Sequence, residues 1–152
     1  GRVVVLEWIN HDCPFVRKYY DAGEMQKLQR KYTELGVMWF SVCSSAPGKQ
    51  GHMEAAKWIE VTKEKEAAPS GVLLDSDGKV GKLYGAKTTP HMYVIDAKGI
   101  LVYQGAIDDK PTPNAEDLAT AKKHVVEVLD ALLAGKDVTP RATQPYGCSV
   151  KY

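Results

Sequence analysis

Cysteine is scarce in this chain of 152 residues: Cys13, Cys43 and Cys148 are the only three, and no two are near each other in sequence. That is too few for a disulfide scaffold, and no pair has the spacing of zinc ligands. The count allows one bridge with one thiol left over. Neither sign of charge is in surplus, since 20 Lys and Arg stand against 19 Asp and Glu for a net charge of +1. Nothing in that balance points to nucleic acid or an anionic membrane as partner. No apolar run approaches the length of a membrane span. There is no internal repeat and no low-complexity segment. Residues 44–51 hold two glycines and a lysine without phosphate-loop spacing, so a nucleotide site is not expected there. An initiator Met and a signal peptide are also missing. Gly1 and Arg2 lead straight into an apolar run, which suggests a trimmed piece of a longer chain and leaves room for a removed targeting segment.

What is present is an ordinary globular composition, 44% hydrophobic and 26% charged, long enough for one domain with a sizeable core. The chain is organised around residues 3–17. Val3 to Ile9 read as a strand buried on both faces, and Pro14 suits the first turn of a helix, where its missing N–H costs nothing. Cys13 then sits at a helix N-terminus, where free N–H groups and the dipole favour a thiolate. The plainer reading makes Cys13 a small buried hydrophobe.

Residues up to about 36 read as helix, broken near 21–23, with Met25, Leu28, Tyr32 and Leu35 on one stripe. Residues 37–43 form a second strand, so a parallel βαβ unit is expected, with Cys13 and Cys43 at the carboxyl edge of the sheet. A helix over 52–66, a short strand at 72–74 and a short helix at 80–84 follow. Pro90 opens a strand that turns at 96–99 and returns over 100–107 as an antiparallel hairpin. Asn114 and Asp117 resemble a capping box for a last helix carrying Leu118, Ala121, Val125, Val128, Leu129 and Leu132. His124 beside that stripe reads as structural. Residues 1–135 are expected to form the domain. Residues 136–152, with two prolines and no periodicity, are expected to be a tail on the surface that carries Cys148.

This order, with a Cys after the first strand and Thr89-Pro90 opening the hairpin, resembles the thioredoxin superfamily. The segment Asn10-His11-Asp12-Cys13-Pro14-Phe15-Val16-Arg17-Lys18 is similar to the Cys-Pro-Phe-Val segment of peroxiredoxin-like redoxins, related to the alkyl hydroperoxide reductase and thiol-specific antioxidant proteins. Residues 44–49, 103–109 and 147–152 agree with that family. The resemblance implies an α/β, thioredoxin-like fold, a central mixed β-sheet flanked by helices. It makes Cys13 the nucleophile and Thr89-Pro90 the cis-proline loop facing its sulfur. Glu7 falls where thioredoxins bury an acid, and an acid with a raised pKa there could shuttle a proton. His11 and Arg17 flank Cys13 and could stabilise a thiolate. Pro14, Phe15 and His91 complete the expected surroundings, and Trp8 is either a wall of the site or core. Two departures stand out. Val16 occupies the second position of Cys-x-x-Cys, and Asn10 stands where peroxiredoxins carry Thr or Ser.

The expected function is therefore thiol oxidoreductase chemistry toward a peroxide, or a protein or small-molecule disulfide, with an external thiol as reductant and no bound cofactor. Cys148 is the first candidate to resolve oxidised Cys13, and Cys43 the second. A homodimer is allowed. The resemblance favours export over a cytoplasmic location. The competing readings are a copper-binding protein using Cys13 and Cys43 with His11, His52 or His91, and an inactive thioredoxin-like binding module.

Overall fold

Alternate residues of the first strand enter two different apolar layers. In β1 (Val4–Trp8), Val5 joins the larger layer and Leu6 and Trp8 the smaller one. A strand paired on both edges and covered on both faces needs such a run. The computed structural model describes all 152 residues.

After β1 the chain turns through Asn10 into α1 (Pro14–Asp21) and α2 (Glu24–Glu34), separated at Gly23, whose φ of 72° ends the first helix. It returns as β2 (Met38–Cys43), parallel to β1, with Glu7 opposite Ser41 and Trp8 opposite Val42. Next come α3 (Ala55–Glu64) and β3 (Gly71–Leu74), parallel to β2. Then α4 (Lys79–Tyr84) leads to the two-residue strand β4 (Thr88–Thr89). The hairpin of β5 (His91–Ile95) and β6 (Leu101–Gly105) lies antiparallel, with β5 against β1. The main sheet runs β3-β2-β1-β5-β6, a mixed sheet with helices against it. No helix is long and apolar enough to cross a membrane.

Two expectations need correction. The last helix, α5, spans only His124–Leu133. Asp117 makes no capping box with Asn114, because its carboxylate takes the Thr112 hydroxyl instead. Residues 115–119 form a 3-10 turn. The chain behind it is then held to Asp109, which exchanges backbone and side-chain bonds with Lys122 (3.2 and 2.8 Å). These contacts delay the helix until His124.

The tail runs mostly over the surface and also reaches into the fold. Val138 is buried in the larger core, and Ala142 bridges Gln104 on the outer edge of β6. Further on, β7 (Cys148–Ser149) pairs antiparallel with β4, and Val150 packs on the smaller layer. The tail lacks periodicity because it is held by isolated contacts, each to a different element.

If the tail is part of the core, Val138→Ala should lower the unfolding free energy by about 2 kcal/mol through the cavity it leaves. Leu83→Ala, at a side chain 82% exposed, should stay within about 0.5 kcal/mol. Urea unfolding monitored by tryptophan fluorescence checks both, and equal effects would sink the idea.

Candidate active site

Cys13 caps α1. Its backbone is extended (φ −77°, ψ 126°), its N–H donates to Asn10 O at 3.0 Å, and its carbonyl accepts from Val16 and Arg17 at 3.1 and 2.9 Å. Pro14 has no N–H, and Phe15 N–H has no backbone acceptor. The sulfur therefore stands at the positive end of an eight-residue helix, where negative charge is favoured. The turn before it is fixed by Asn10, whose Oδ1 accepts Asp12 N–H at 2.9 Å and whose Nδ2 donates to Gln50.

Opposite lies the Thr89–Pro90 peptide, which is cis. The Thr89 carbonyl oxygen is 3.2 Å from Cys13 Sγ. Thr89 pairs with Cys148 in the two-stranded β4–β7 sheet, and this brings Cys148 within disulfide reach: Cys13 and Cys148 are bonded, their Cα atoms 6.1 Å apart. Gly147 makes the docking possible. Its φ is 136°, and a Cβ there would run into the Thr89 carbonyl. Cys13 is 0% exposed, whereas Cys148 is half-buried.

The other expected residues separate. Cys43 is free and buried, and burial raises its thiol pKa. It takes no part in the bond, because the tail brings Cys148 to Cys13 while the Cys43 thiol faces the Gly51 carbonyl (3.7 Å). His11 is buried against Tyr20 and Trp58, and burial lowers its pKa to about 4. In the neutral form this favours, it brings no positive charge to Cys13. His91 is likewise buried, held by Lys87 N–H at 3.2 Å, with a pKa lowered to about 4 by burial. Arg17 and Pro14 are exposed, so the charge of Arg17 is screened by water. Phe15 packs on Tyr146 of the tail, ring centres 5.8 Å apart. Trp8 is core, and its indole donates to Ser44 Oγ at 3.0 Å.

Glu7 is 0% exposed, and burial raises its pKa to about 7 against the donors around it. Those donors are the Tyr20 hydroxyl (2.8 Å), Gln29 Nε2 (3.2 Å), Trp39 Nε1 (2.6 Å) and, at 3.4 Å, the Ser41 hydroxyl. None of these bonds reaches Cys13.

A second buried carboxylate escaped sequence reasoning. Asp108 accepts the Tyr19 and Tyr146 hydroxyls, the latter at 2.5 Å, and Lys18 Nζ lies 3.7 Å away with both side chains fully buried. Lys18 also donates to Lys110 O at 2.9 Å. Burial and then the Asp108 hydrogen bond push both tyrosine pKa values up, so they stay donors. The only signal was indirect: Lys18 and Asp108 lie in two of the segments that carry the family resemblance. No three His, Cys, Asp or Glu side chains converge on a metal-sized site.

The family model described as Redoxin matches residues 1–122. No curated protein matches. Among solved structures, an uncharacterized conserved protein from Geobacillus kaustophilus is 27% identical with a TM-score of 0.82, over 99% of this chain and 77% of that one. A protein of Chlorobium tepidum provisionally named thiol:disulfide interchange protein DsbE is 25% identical with a TM-score of 0.54, over 68% of this chain and 67% of its own. A thioredoxin-like protein solved in its oxidized form is 14% identical with a TM-score of 0.65, over 90% and 81%. The fold is thioredoxin-like.

The titrating groups set an acid response. His11 and His91, lowered from 6.5 to about 4, contribute stability that is complete above pH 6.5 and lost as pH falls toward 4. Glu7, raised from 4.5 to about 7, runs the other way: its contribution is complete below pH 4.5 and lost as pH rises through 7. Between about pH 5 and 6 the unfolded chain thus binds roughly one more proton than the fold, and stability rises with pH. Glu7→Gln removes the opposing proton, and the slope should roughly double. Denaturant melts across that range check it; an unchanged slope means Glu7 is already ionised in the fold.

Proposed function

The chain belongs to the Redoxin family, and on that premise we propose that it is a thiol–disulfide oxidoreductase whose redox couple is Cys13 and Cys148. One observation carries the reading: a cysteine at a helix N-terminus is bonded to a cysteine on a strand laid against the cis-proline loop. The two sulfurs exchange two electrons with a partner. In the reduced protein Cys13 is the thiolate, held by the end of α1, and it is the nucleophile that attacks a disulfide sulfur and expels a thiolate. An external thiol returns the couple to the reduced form. Cys148 supplies what the missing second cysteine of Cys-x-x-Cys would supply, since Val16 at that position is a core residue.

Peroxide is the less suited oxidant. Asn10 stands where peroxiredoxins carry Thr or Ser, and it spends its amide on Asp12 and Gln50 rather than on a guest. An exported setting suits the couple, because disulfides persist in oxidising compartments.

Reduced protein given one equivalent of glutathione disulfide should form the Cys13–Cys148 bond faster than with one equivalent of hydrogen peroxide, as read by cysteine-resolved mass mapping. Cys13→Ser and Cys148→Ser should each abolish the bond, and Cys43→Ser should keep it. A faster peroxide reaction would move the assignment to a peroxidase. No bond with either oxidant would leave an inactive thioredoxin-like module.

A further inference from the structure

We infer that Asp108 is a positioning residue of the redox couple: through the Tyr146 hydroxyl it pins the root of the Cys148 strand to the helix that carries Cys13; this rests on the oxidoreductase reading above. Two elements carry the couple, α1 with Cys13 at its end and the tail with Cys148. The tie through Asp108 joins them without running through sulfur.

It is built on a group whose burial is costly. Asp108 and Lys18 are a fully buried ion pair, with Nζ 3.7 Å from Oδ2. Such a pair adds little stability over apolar side chains of the same size, and what it supplies is fixed geometry. Here both charges act on one hydroxyl. Tyr146 donates to Asp108 Oδ1 at 2.5 Å and accepts from Lys18 Nζ at 3.4 Å. Lys18 lies in α1, five residues after Cys13, and Tyr146 lies two residues before Cys148. The Tyr146 ring packs on Phe15, two residues after Cys13. Packing alone would let the ring slide, and a hydroxyl held between two charges fixes it. The carboxylate is itself anchored from outside the tail, by the Lys110 N–H at 2.8 Å and the Tyr19 hydroxyl.

Cys148 then hangs on a short lead. Gly147, with a φ of 136°, is the joint between it and Tyr146. The pairing of β4 with β7 is only two residues long, and it is the part that opens to let a partner reach Cys13. With Tyr146 pinned, Cys148 stays close to its docked place while that pairing is open. Without the pin, the nearest hydrogen-bonded residue before β7 is Thr143, whose N–H donates to Gln104 O at 3.1 Å. The lead grows from two residues to five. Effective concentration falls roughly as the −3/2 power of that length, which is about fourfold.

The step this serves is closure of the bond. Both cysteines enter as thiolates, their protons left to water. Cys13 attacks a partner disulfide RSSR, the Cys13–SR bond forms, and the first RS⁻ leaves. Cys148 then attacks the Cys13 sulfur, the Cys13–SR bond breaks, and the second RS⁻ leaves. The couple has lost two electrons and the partner has gained two. Holding Cys148 near Cys13 speeds that second attack. It also favours the oxidised state, because the bonded tail cannot swing free and only the reduced one gains by release.

Asp108→Asn would strand buried Lys18, so Tyr146→Phe carries the test. It keeps the ring and the Asp108–Lys18 pair and removes only the tie. Wild type, Tyr146→Phe and Tyr19→Phe are equilibrated in glutathione buffers of graded ratio, quenched in acid, and scored for the Cys13–Cys148 bond by peptide mapping. In Tyr146→Phe the equilibrium constant for the bond should be about fourfold lower, a reduction potential about 18 mV higher. Tyr19→Phe takes a hydroxyl from the same carboxylate without touching the tail, and its constant should match wild type. A constant unchanged in Tyr146→Phe, or lowered equally in Tyr19→Phe, overturns the assignment and leaves the oxidoreductase reading standing. A wild-type bond that no glutathione ratio opens overturns both, since a couple that does not exchange has no potential to set.

Discussion

The pairing of Thr89 with Cys148 is the constraint on which the site depends. It needs a peptide group at Thr89 turned toward the tail and a Gly147 without a Cβ, so that two backbones can lie closer than side chains allow. Everything else in the tail holds that pair in register. Tyr146 and Tyr152 are set on either side of it, each with an apolar ring to bury and a hydroxyl to spend on a buried acceptor. A tail with no secondary structure of its own length is thereby made as determined as a strand.

Two buried carboxylates solve the cost of burial in opposite ways. Glu7 is surrounded only by neutral donors, and burial outweighs them, so its pKa rises to about 7. Asp108 has a cation beside it in Lys18 and two tyrosine hydroxyls on its oxygens. The difference follows position. Glu7 points into the layer between β1 and α1–α2, where Tyr20 and Gln29 are the partners. Asp108 lies where α1, the loop after β6 and the tail meet, and its carboxylate is answered by side chains of α1 and the tail and by the Lys110 N–H of the loop. Removing one partner of such a set strands the others.

The sequence carried the frame and hid the fastenings. β1, β2 and the hairpin were legible because burial on both faces or alternation writes itself into the residues at period two, and Gly36, Asp96 and Gly99 mark turns by local chemistry. Cys13 was legible because Pro14 fixes where a helix begins. The start of α5 was not, since Asp109 and Lys122 are thirteen residues apart and nothing local announces their bond. Val138 looked like any tail valine, and Asp108 like a solvated loop acid beside Asp109. Their roles are set by neighbours that are distant in sequence, which no window of residues contains. His11 shows the same limit in another form: its sequence neighbours suggested a charge beside Cys13, and its burial against Tyr20 and Trp58 disfavours one.

Placing the second cysteine at 148 rather than at 16 changes more than the address of a sulfur. A bridge within Cys-x-x-Cys closes a loop of a few residues and restricts the unfolded chain by about 2 kcal/mol; one with a sequence separation of 135 restricts it by about 5 kcal/mol. That restriction acts on the unfolded chain alone. If the tail stays docked when the bond opens, the folded protein gives up almost no order on reduction, so the redox equilibrium of the fold is governed by the two sulfurs and their surroundings. The same bond then has two separate effects: it sets global stability through the unfolded chain, and it exchanges electrons locally. The tail contacts on either side of Cys148 keep the two effects apart.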